Sequence, residues 1–303
     1  MTGFDADWLA RREPFDALAR DGALAVAFAR SLRSDATGVR RIIDLAAGTG
    51  SNFRALAPRL GGDQEWLLVD HDPRLREAQA ATIARWAARA GWTCQVIGDA
   101  LEVRAGAARW LARAHAFDLA GSLEALDLHR FDGVSTSAFL DLVSADWLDR
   151  LVDQLADAGR PLLAVLTVDG RRDWAPPLPA DRHLQEAFQR HQGGDKGFGP
   201  ALGADATASL ERRLVARGFA VATAPSDWRI DAAHCDFLGQ LVREASAVAC
   251  EAEPLASADF ALWRERREAQ IQTGRLALTV GHTDLLAVPP GRAEADRLQG
   301  PVS

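Results

Sequence analysis

Strand-like and helix-like segments alternate along most of this chain, and that alternation restricts its fold more than any other feature. Short apolar runs predict buried strands at 40–46, 65–70, 131–137 and 161–169. The segments between them have helical periodicity, with capping residues, proline or glycine at their ends. Repeated strand–helix–strand units predict a parallel, doubly wound α/β sheet. Two further strands are predicted late in the chain, at 218–225 and 275–289.

Composition excludes several classes of protein. The chain has 303 residues, 48% of them hydrophobic, which suffices for one large α/β domain with a smaller lobe. Its 35 basic residues are dispersed among 42 acidic ones, and the net charge of −7 argues against nucleic-acid and anionic-membrane partners. The apolar runs are far shorter than the roughly 20 residues of a membrane span, and the first residues lack an apolar signal region. We therefore expect a cytoplasmic protein without membrane attachment.

The cysteines and histidines do not form a metal-binding pattern. Cys94, Cys235 and Cys250 are widely separated, which predicts neither a disulfide framework nor a zinc site but three buried thiols. His183 and His191 lie two turns apart on one predicted helix, too far for the usual pair of helical metal ligands. We predict no metal.

The turn after the first predicted strand carries the strongest functional signal. The sequence IIDLAAGTGSNF (42–53) places only small residues between a strand ending in Asp44 and the start of a helix. Such a turn lets a ligand approach the backbone at a helix N-terminus. The dinucleotide fingerprint requires a third small residue where this chain has Phe53, which counts against NAD. The remaining pattern, Asp-x-Ala-x-Gly-x-Gly, closely resembles the first motif of the class I S-adenosylmethionine-dependent methyltransferases.

The resemblance continues after the second strand, where VDHDP is similar to the second motif of that family. An acid at that point, here Asp70, can accept hydrogen bonds from both ribose hydroxyls of a nucleoside. The resemblance implies S-adenosylmethionine as cofactor, S-adenosylhomocysteine as product, and a Rossmann-like seven-stranded sheet with a reversed last strand. The implied cofactor-binding residues are Asp44, Ala46, Gly48, Gly50, Asn52, Asp70, His71, Asp118, Leu119 and Ser137.

The third strand of the family should also end near an acid, and two candidates exist. Asp118 is followed after a short step by FDGV at 131–134, whereas Asp99 leaves a much longer gap, so we choose Asp118. The segments TCQVIG, ALEVR and ARWLARAHAF, joined by GD and RAGA turns, then predict an inserted β-hairpin that leads into strand three.

The acceptor is expected to be a small molecule, methylated on an O or N atom. The segment STSAFLDLVS after strand four lacks the Asn-Pro pair of family members that methylate DNA or glutamine, and the chain has no tyrosine. Small-molecule members build their pockets from segments before strand one, after strand five and before the last strand. We accordingly predict an N-terminal helical lid at 1–37, a methyltransferase domain at 38–290 with a pocket or lid insertion at 171–204, and a flexible tail at 291–303.

Residues in these segments are candidates for contact with the acceptor. The lid has a predicted apolar face formed by Trp8, Leu9, Phe15, Leu18 and Ala19. Arg12 and Arg20 could hold a carboxylate of the cofactor or the acceptor. The predicted substrate-binding residues are Arg12, Lys196, Phe198 and Trp228, and the candidate bases are His191, Asp195 and His282.

Two other functions stay open from the sequence. One is a non-catalytic regulatory protein that binds the same cofactor, with the space over the sulfonium filled by bulky side chains. The other is an NAD-dependent oxidoreductase, in spite of Phe53. The sequence leaves open the acceptor, the acceptor atom, the need for a base and the oligomeric state.

Overall fold

The computed structural model describes residues 5–33 and 38–291. Its helices are α1 (Ala6–Ala19), α2 (Gly22–Ser31), α3 (Ser51–Leu60), α4 (Pro73–Arg89), α5 (Ala145–Ala158), α6 (Asp181–Gln192), α7 (Ala206–Ala216), α8 (Cys235–Ala252) and α9 (Ser257–Gln272). Its strands are β1 (Arg40–Leu45), β2 (Gln64–Asp70), β3 (Thr93–Ile97), β4 (Ala100–Ala105), β5 (Ala108–Ala116), β6 (Gly133–Ser137), β7 (Leu162–Ala175), β8 (Ala220–Pro225), β9 (Trp228–Ile230) and β10 (Ala277–Val288).

The strands form one sheet in the order β3-β4-β5-β2-β1-β6-β7-β10-β8, with β9 paired to β10. The central strands β5, β2, β1, β6 and β7 are parallel, and β10 runs antiparallel to both β7 and β8. The predicted doubly wound sheet with a reversed last strand is therefore confirmed. The predicted hairpin is also present, because β3 and β4 pair antiparallel and β4 pairs antiparallel with β5.

Helices cover both faces of the sheet. On one face, α5 and α7 bury leucines such as Leu151 and Leu214. On the other, α2, α3 and α4 bury Phe28 and Phe53. The ring of Phe53 is fully buried and contacts Trp66 and Trp86 in T-shaped, edge-to-face pairs. The residue that breaks the dinucleotide fingerprint is thus part of the hydrophobic core.

A third apolar cluster forms a helical layer beyond the end of the central strands. Strand β7 pairs with β6 only over its first residues and then continues to Ala175 alongside β10. Trp174, near the end of this extension, packs edge-on against Trp263 of α9 at 5.1 Å. Helices α6, α8 and α9 pack together around this extension, and α1 joins them by stacking Phe15 on Phe237 of α8 at 4.6 Å.

A buried carboxylate joins the N-terminal helices to the sheet. Asp284 of β10 accepts hydrogen bonds from the backbone N–H of Leu166 at 2.7 Å and of Asp21 at 2.8 Å. Leu166 has a φ of 57°, the left-handed region that a branched side chain rarely adopts. Asp284 is fully buried, so these bonds fix both the irregular turn in β7 and the connection between α1 and α2.

Several local predictions are wrong. Leu18 does not belong to the apolar face of α1, because 87% of it is exposed. The sequence also predicts Ser51 or Asn52 as the cap of α3, but this helix begins after Gly50 in the left-handed conformation and has no side-chain cap. Cys235 is exposed and the other two cysteines are half-buried, so the thiols are not core residues.

Two predictions concern regions that the structure describes only in part. Residues 292–303 of the predicted tail, and residues 1–4 and 34–37 of the predicted lid, lie outside the described residues. Within the described ranges, every helix is too short or too polar to cross a bilayer.

Candidate functional site

A cavity of about 810 Å³ opens at the carboxyl ends of β1, β2 and β6. Here the chain crosses from β1 to β2 on one side of the sheet, and β6 lies on the other side, which is the topological switch point where open α/β sheets bind ligands. The lining residues are Leu9, Arg12, Asp16, Asp44, Ala46, Ala47, Gly48, Thr49, Ser51, Asn52, Asp70, His71, Asp72, Leu75, Leu119, Ser137, Ala138, Phe139, Leu142, His191, Asp195, Lys196, Phe198 and Glu251.

The loop after β1 presents backbone to this cavity. Ala46 and Gly48 both have a φ of 54°. A Cβ on Gly48 would lie 3.2 Å from Leu9 Cδ1, so a side chain there would be strained and crowded by α1. The Gly48 carbonyl accepts a hydrogen bond from Gln79 of α4 at 2.8 Å. The small residues of this loop therefore allow Leu9 of α1 to pack close to the backbone at Gly48.

Asp44 carries an unpaired oxygen at the base of the cavity. Its Oδ1 accepts hydrogen bonds from Asn52 Nδ2 at 2.6 Å and from Ser135 Oγ at 2.7 Å. Its Oδ2 is buried and has no hydrogen-bond partner. Burial raises the pKa of the Asp44 carboxyl to about 6, although the two hydrogen bonds oppose that shift. An unpaired buried carboxylate oxygen of this kind favours a ligand that carries a donor or a positive charge.

Arg20 donates hydrogen bonds to two polar residues that line the cavity. Its Nη1 donates to Asn52 Oδ1 at 2.7 Å and its Nη2 donates to Ser137 Oγ at 3.0 Å. Arg20 thereby connects the predicted cofactor-binding residues that follow β1 and β6, although it is not itself among the lining residues. Ala138, the residue after β6, has a φ of 51°, and Ala46, the residue after β1, has a φ of 54°. Both strands are therefore followed at the cavity by a residue in the left-handed conformation.

The second strand contributes a buried carboxylate. Asp70 Oδ2 accepts a hydrogen bond from Gly48 N at 2.8 Å, and Oδ1 accepts one from Asp72 N at 2.9 Å. Each oxygen keeps a second lone pair for a ligand. His71 follows at the rim with its ring largely exposed, and Leu119 closes the same end of the cavity.

Three segments that flank the central strands also line the cavity. Leu9 and Arg12 come from α1, His191 and Lys196 from the segment after β7, and Glu251 from α8. His191 Nε2 lies 3.3 Å from Glu251 Oε2. Thus segments before β1, after β7 and before β10 all contribute side chains to the cavity, in the positions that the sequence predicted for a substrate pocket.

Two other predicted residues lie on the loop after α6. Asp195 Oδ1 accepts hydrogen bonds from Gly197 N at 2.7 Å and Gly199 N at 3.0 Å, so its carboxylate orders the glycine-rich loop. Phe198 packs edge-on against Phe139 at 5.3 Å and forms an aromatic wall.

Four predicted site residues do not line the cavity. Gly50 caps α3, and a Cβ there would point toward Ile83 in the core. Asp118 follows β5 as predicted, but it is exposed and its Oδ1 accepts a hydrogen bond from Ala120 N at 2.9 Å. Trp228 lies behind Asp16, to which its Nε1 donates at 2.9 Å.

His282, the fourth, lies deeper still. It is 2% exposed, its ring packs on Trp228 at 4.9 Å, and its Nδ1 is 3.0 Å from the Val280 carbonyl oxygen. Burial, together with the charge of the nearby Arg12 guanidinium, lowers the pKa of His282 to about 4. His282 does not line the cavity, so the structure does not support it as a base.

Sequence reasoning missed some lining residues, above all Glu251, Asp16 and Phe139. Asp16 accepts a two-pronged ion pair from Arg12 at 3.0 to 3.3 Å, four residues earlier on α1. That spacing was a usable signal. No sequence signal pointed to Glu251, because only the packing of α8 against α6 brings it close to His191.

No protein-family model matches the sequence, and no curated protein matches it. It aligns with solved structures, among them a cyclopropane-fatty-acyl-phospholipid synthase-like protein from Lactobacillus casei, 14% identical over 94% of each chain with a TM-score of 0.49. The cyclopropane synthase MmaA2 from Mycobacterium tuberculosis is 9% identical over 88% of this chain and 82% of its own, with a TM-score of 0.43. A geranyl diphosphate methyltransferase in complex with SAM is 9% identical over 88% and 84%, with a TM-score of 0.39. At such identities and scores, the function has to be inferred from the cavity itself.

Proposed function

We propose that this protein is an S-adenosylmethionine-dependent methyltransferase that acts on an O or N atom of a small molecule. The observation that carries the proposal is the unpaired Oδ2 of Asp44, which lies in the same cavity as the bare backbone at Gly48 and the carboxylate of Asp70. An amino acid joined to a nucleoside needs these three features together.

The residues fit the parts of such a cofactor. Asp44 Oδ2 can pair with the ammonium of the methionine portion, and the backbone of Ala46 and Gly48, which lines the same cavity, can lie along its chain. The free lone pairs of Asp70 can accept the ribose hydroxyls. Leu75 and Leu119 offer apolar surface for a purine ring. The cavity of about 810 Å³ lies toward the upper end of the roughly 300–1,000 Å³ range of small-molecule sites, so an acceptor fits beside the cofactor.

The bound cofactor would supply a methyl group already activated by its sulfonium charge. The chain then has to align the acceptor, exclude water and remove a proton where the acceptor carries one. His191 is the best placed base, because Glu251 lies 3.3 Å from its Nε2 and can accept that N–H. Nδ1 would then be free to take a proton, and the carboxylate of Glu251 would stabilise the resulting cation.

The two alternatives are less well supported. A non-catalytic binder would have its cavity filled beside the cofactor, whereas here the space continues to His191, Lys196 and Phe198. An NAD enzyme would need a small residue where Phe53 is buried in the core.

A crystal structure with S-adenosylhomocysteine tests the proposal. We expect the ribose hydroxyls on Asp70, the ammonium on Asp44, and the sulfur open to the part of the cavity lined by His191 and Phe198. Failure of the ligand to bind would overturn the proposal, and a sulfur atom sealed off by side chains would favour the regulatory alternative.

A further inference from the structure

The only lysine in the sequence lies on the wall of this cavity. Every other residue among the 35 lysines and arginines is an arginine, and the single exception is Lys196. The two side chains differ physically, since lysine presents a compact, rotatable ammonium where arginine presents a flat fork that pairs with neighbouring carboxylates. The position of Lys196 therefore invites a functional explanation.

The charge of Lys196 has no acidic partner within the described part of the chain. Its Nζ donates a hydrogen bond to the backbone carbonyl of His191 at 3.0 Å, which leaves two N–H groups available. The other cation on the cavity wall, Arg12, is paired with Asp16. Two acids that line the same cavity are already engaged, Asp195 with two backbone N–H groups and Glu251 with His191.

Apolar surface adjoins this ammonium. Phe198, two residues along the chain, packs edge-on against Phe139 at 5.3 Å and against Trp147 at 6.0 Å. Phe139 and Leu142 continue the same wall of the cavity. A ligand here would find an unpaired positive charge next to an aromatic surface.

We infer that the methyl acceptor is an anionic molecule with an aromatic or similarly flat apolar body. Lys196 holds its carboxylate or phosphate, and Phe139, Leu142 and Phe198 contact the body. The nucleophilic atom then lies on the side of His191 and Glu251. That the bound molecule is a methyl acceptor rests on the proposed function. That Lys196 binds an anion does not. The competing explanation is that Lys196 only caps the C-terminus of α6 through the His191 carbonyl.

A single lysine permits a direct test. Reductive methylation with ¹³C-formaldehyde keeps the positive charge and one N–H of the amine, and labels only Lys196 and the N-terminal amine, so the label reports the nearby anion while the calorimetry below uses the unmodified amine. The Lys196→Arg variant assigns the two signals, because it retains only the N-terminal one. The full chain, saturated with S-adenosylhomocysteine, is then titrated with benzoate, phenyl phosphate and neutral benzamide.

We expect benzoate or phenyl phosphate to shift the Lys196 signal saturably, because the bound anion lies next to the labelled amine. Benzamide should not shift it. The anion that acts at lower concentration identifies the group as carboxylate or phosphate. Absence of a saturable shift with both anions, or an equal shift with benzamide, would overturn the inference.

Two variants separate recognition from helix capping. By calorimetry, Lys196→Met should weaken binding of the effective anion about 10- to 100-fold, as expected for a hydrogen bond to a charged group. Lys196→Arg should retain much of the anion affinity. The affinity for S-adenosylhomocysteine should stay unchanged in both variants. A Lys196→Met protein that is less stable to heat but binds the anion normally would establish the capping role alone. If S-adenosylhomocysteine does not bind the unmodified protein, the proposed function fails whatever Lys196 does.

Discussion

Asp70 accepts a hydrogen bond from the backbone N–H of Gly48 at 2.8 Å, and this bond joins the acid after β2 to the small-residue turn after β1. The two features that the sequence pattern predicted separately thus form one unit. Together with Asp44, this unit offers a ligand three features. They are the buried, unpaired Oδ2 of Asp44, the free lone pairs of Asp70 and the bare backbone at Gly48.

Replacement of Asp70 should abolish cofactor binding. In Asp70→Ala, the ribose hydroxyls lose their acceptor and Gly48 N loses its partner, so we expect S-adenosylhomocysteine affinity to fall about 100-fold or more, equivalent to roughly 3 kcal/mol. Asp99→Ala is the matched control, since Asp99 was the competing acid and is exposed beside Arg113. Calorimetry on both variants decides, and equal losses would contradict the assignment.

Cofactor binding should strengthen with rising pH. Burial raises the pKa of Asp44 to about 6 in the free protein, and a cation beside it would lower that pKa again, so binding below pH 6 must release a proton. We expect S-adenosylhomocysteine affinity to rise up to about tenfold between pH 5 and pH 7 and then level off.

Asp44→Asn tests the same point, because an amide oxygen can still accept from Asn52 and Ser135. Its affinity should be lower and nearly independent of pH over that interval. A wild-type affinity that is flat or falls as the pH rises would exclude Asp44 as the partner of the ammonium.

His191 should matter for turnover but not for cofactor affinity. With any acceptor found in a panel of hydroxy and amino acids, His191→Ala should lower kcat about 100- to 10,000-fold, the usual range for loss of a general base. Its affinity for S-adenosylhomocysteine should stay within about twofold of wild type. Release of S-adenosylhomocysteine, followed by mass spectrometry, measures the rate.

His183→Ala is the control for that variant. His183 lies on the same helix and also faces a glutamate, Glu253, at 3.2 Å, but it is not among the lining residues of the cavity. If the two variants lose activity equally, His191 has no special part in proton removal.

Removal of the Asp284 carboxylate should destabilise the fold. Asp284→Ala leaves the buried N–H groups of Leu166 and Asp21 without acceptors, at about 1–3 kcal/mol each. We expect a loss of about 2–4 kcal/mol in the free energy of unfolding by urea. Asp157→Ala, which removes an exposed ion pair with His129, should cost less than about 1 kcal/mol. A loss at Asp284 no larger than at Asp157 would show that the connection between α1 and α2 does not depend on it.

The fold was largely predictable because its signals are local. Apolar runs, turn glycines and helix-like spacing placed the central strands and helices within a few residues, and the GD and RAGA turns gave the β3–β4 hairpin. The wrong predictions concern which side of an element is buried. Leu18 fits an apolar pattern on α1, but the helix packs through Phe15 and Trp8 against Phe237 and leaves Leu18 in solvent.

The cofactor side of the site was predictable from the sequence, and the acceptor side was not. Asp44, Gly48 and Asp70 follow neighbouring parallel strands, so the topology alone brings them together. The acceptor side depends on how helices pack, which no spacing reveals. His282 was expected at the cavity because it lies in the last strand, but its side chain points beneath Trp228, while Glu251 arrives from a distant helix.

Calorimetric titration of the purified protein with S-adenosylhomocysteine, beside a titration with NAD⁺, tests the central claim most directly. We predict a saturable binding heat for S-adenosylhomocysteine that disappears in Asp70→Ala, and no binding of NAD⁺. No heat with S-adenosylhomocysteine, or heat with NAD⁺ alone, would contradict the account.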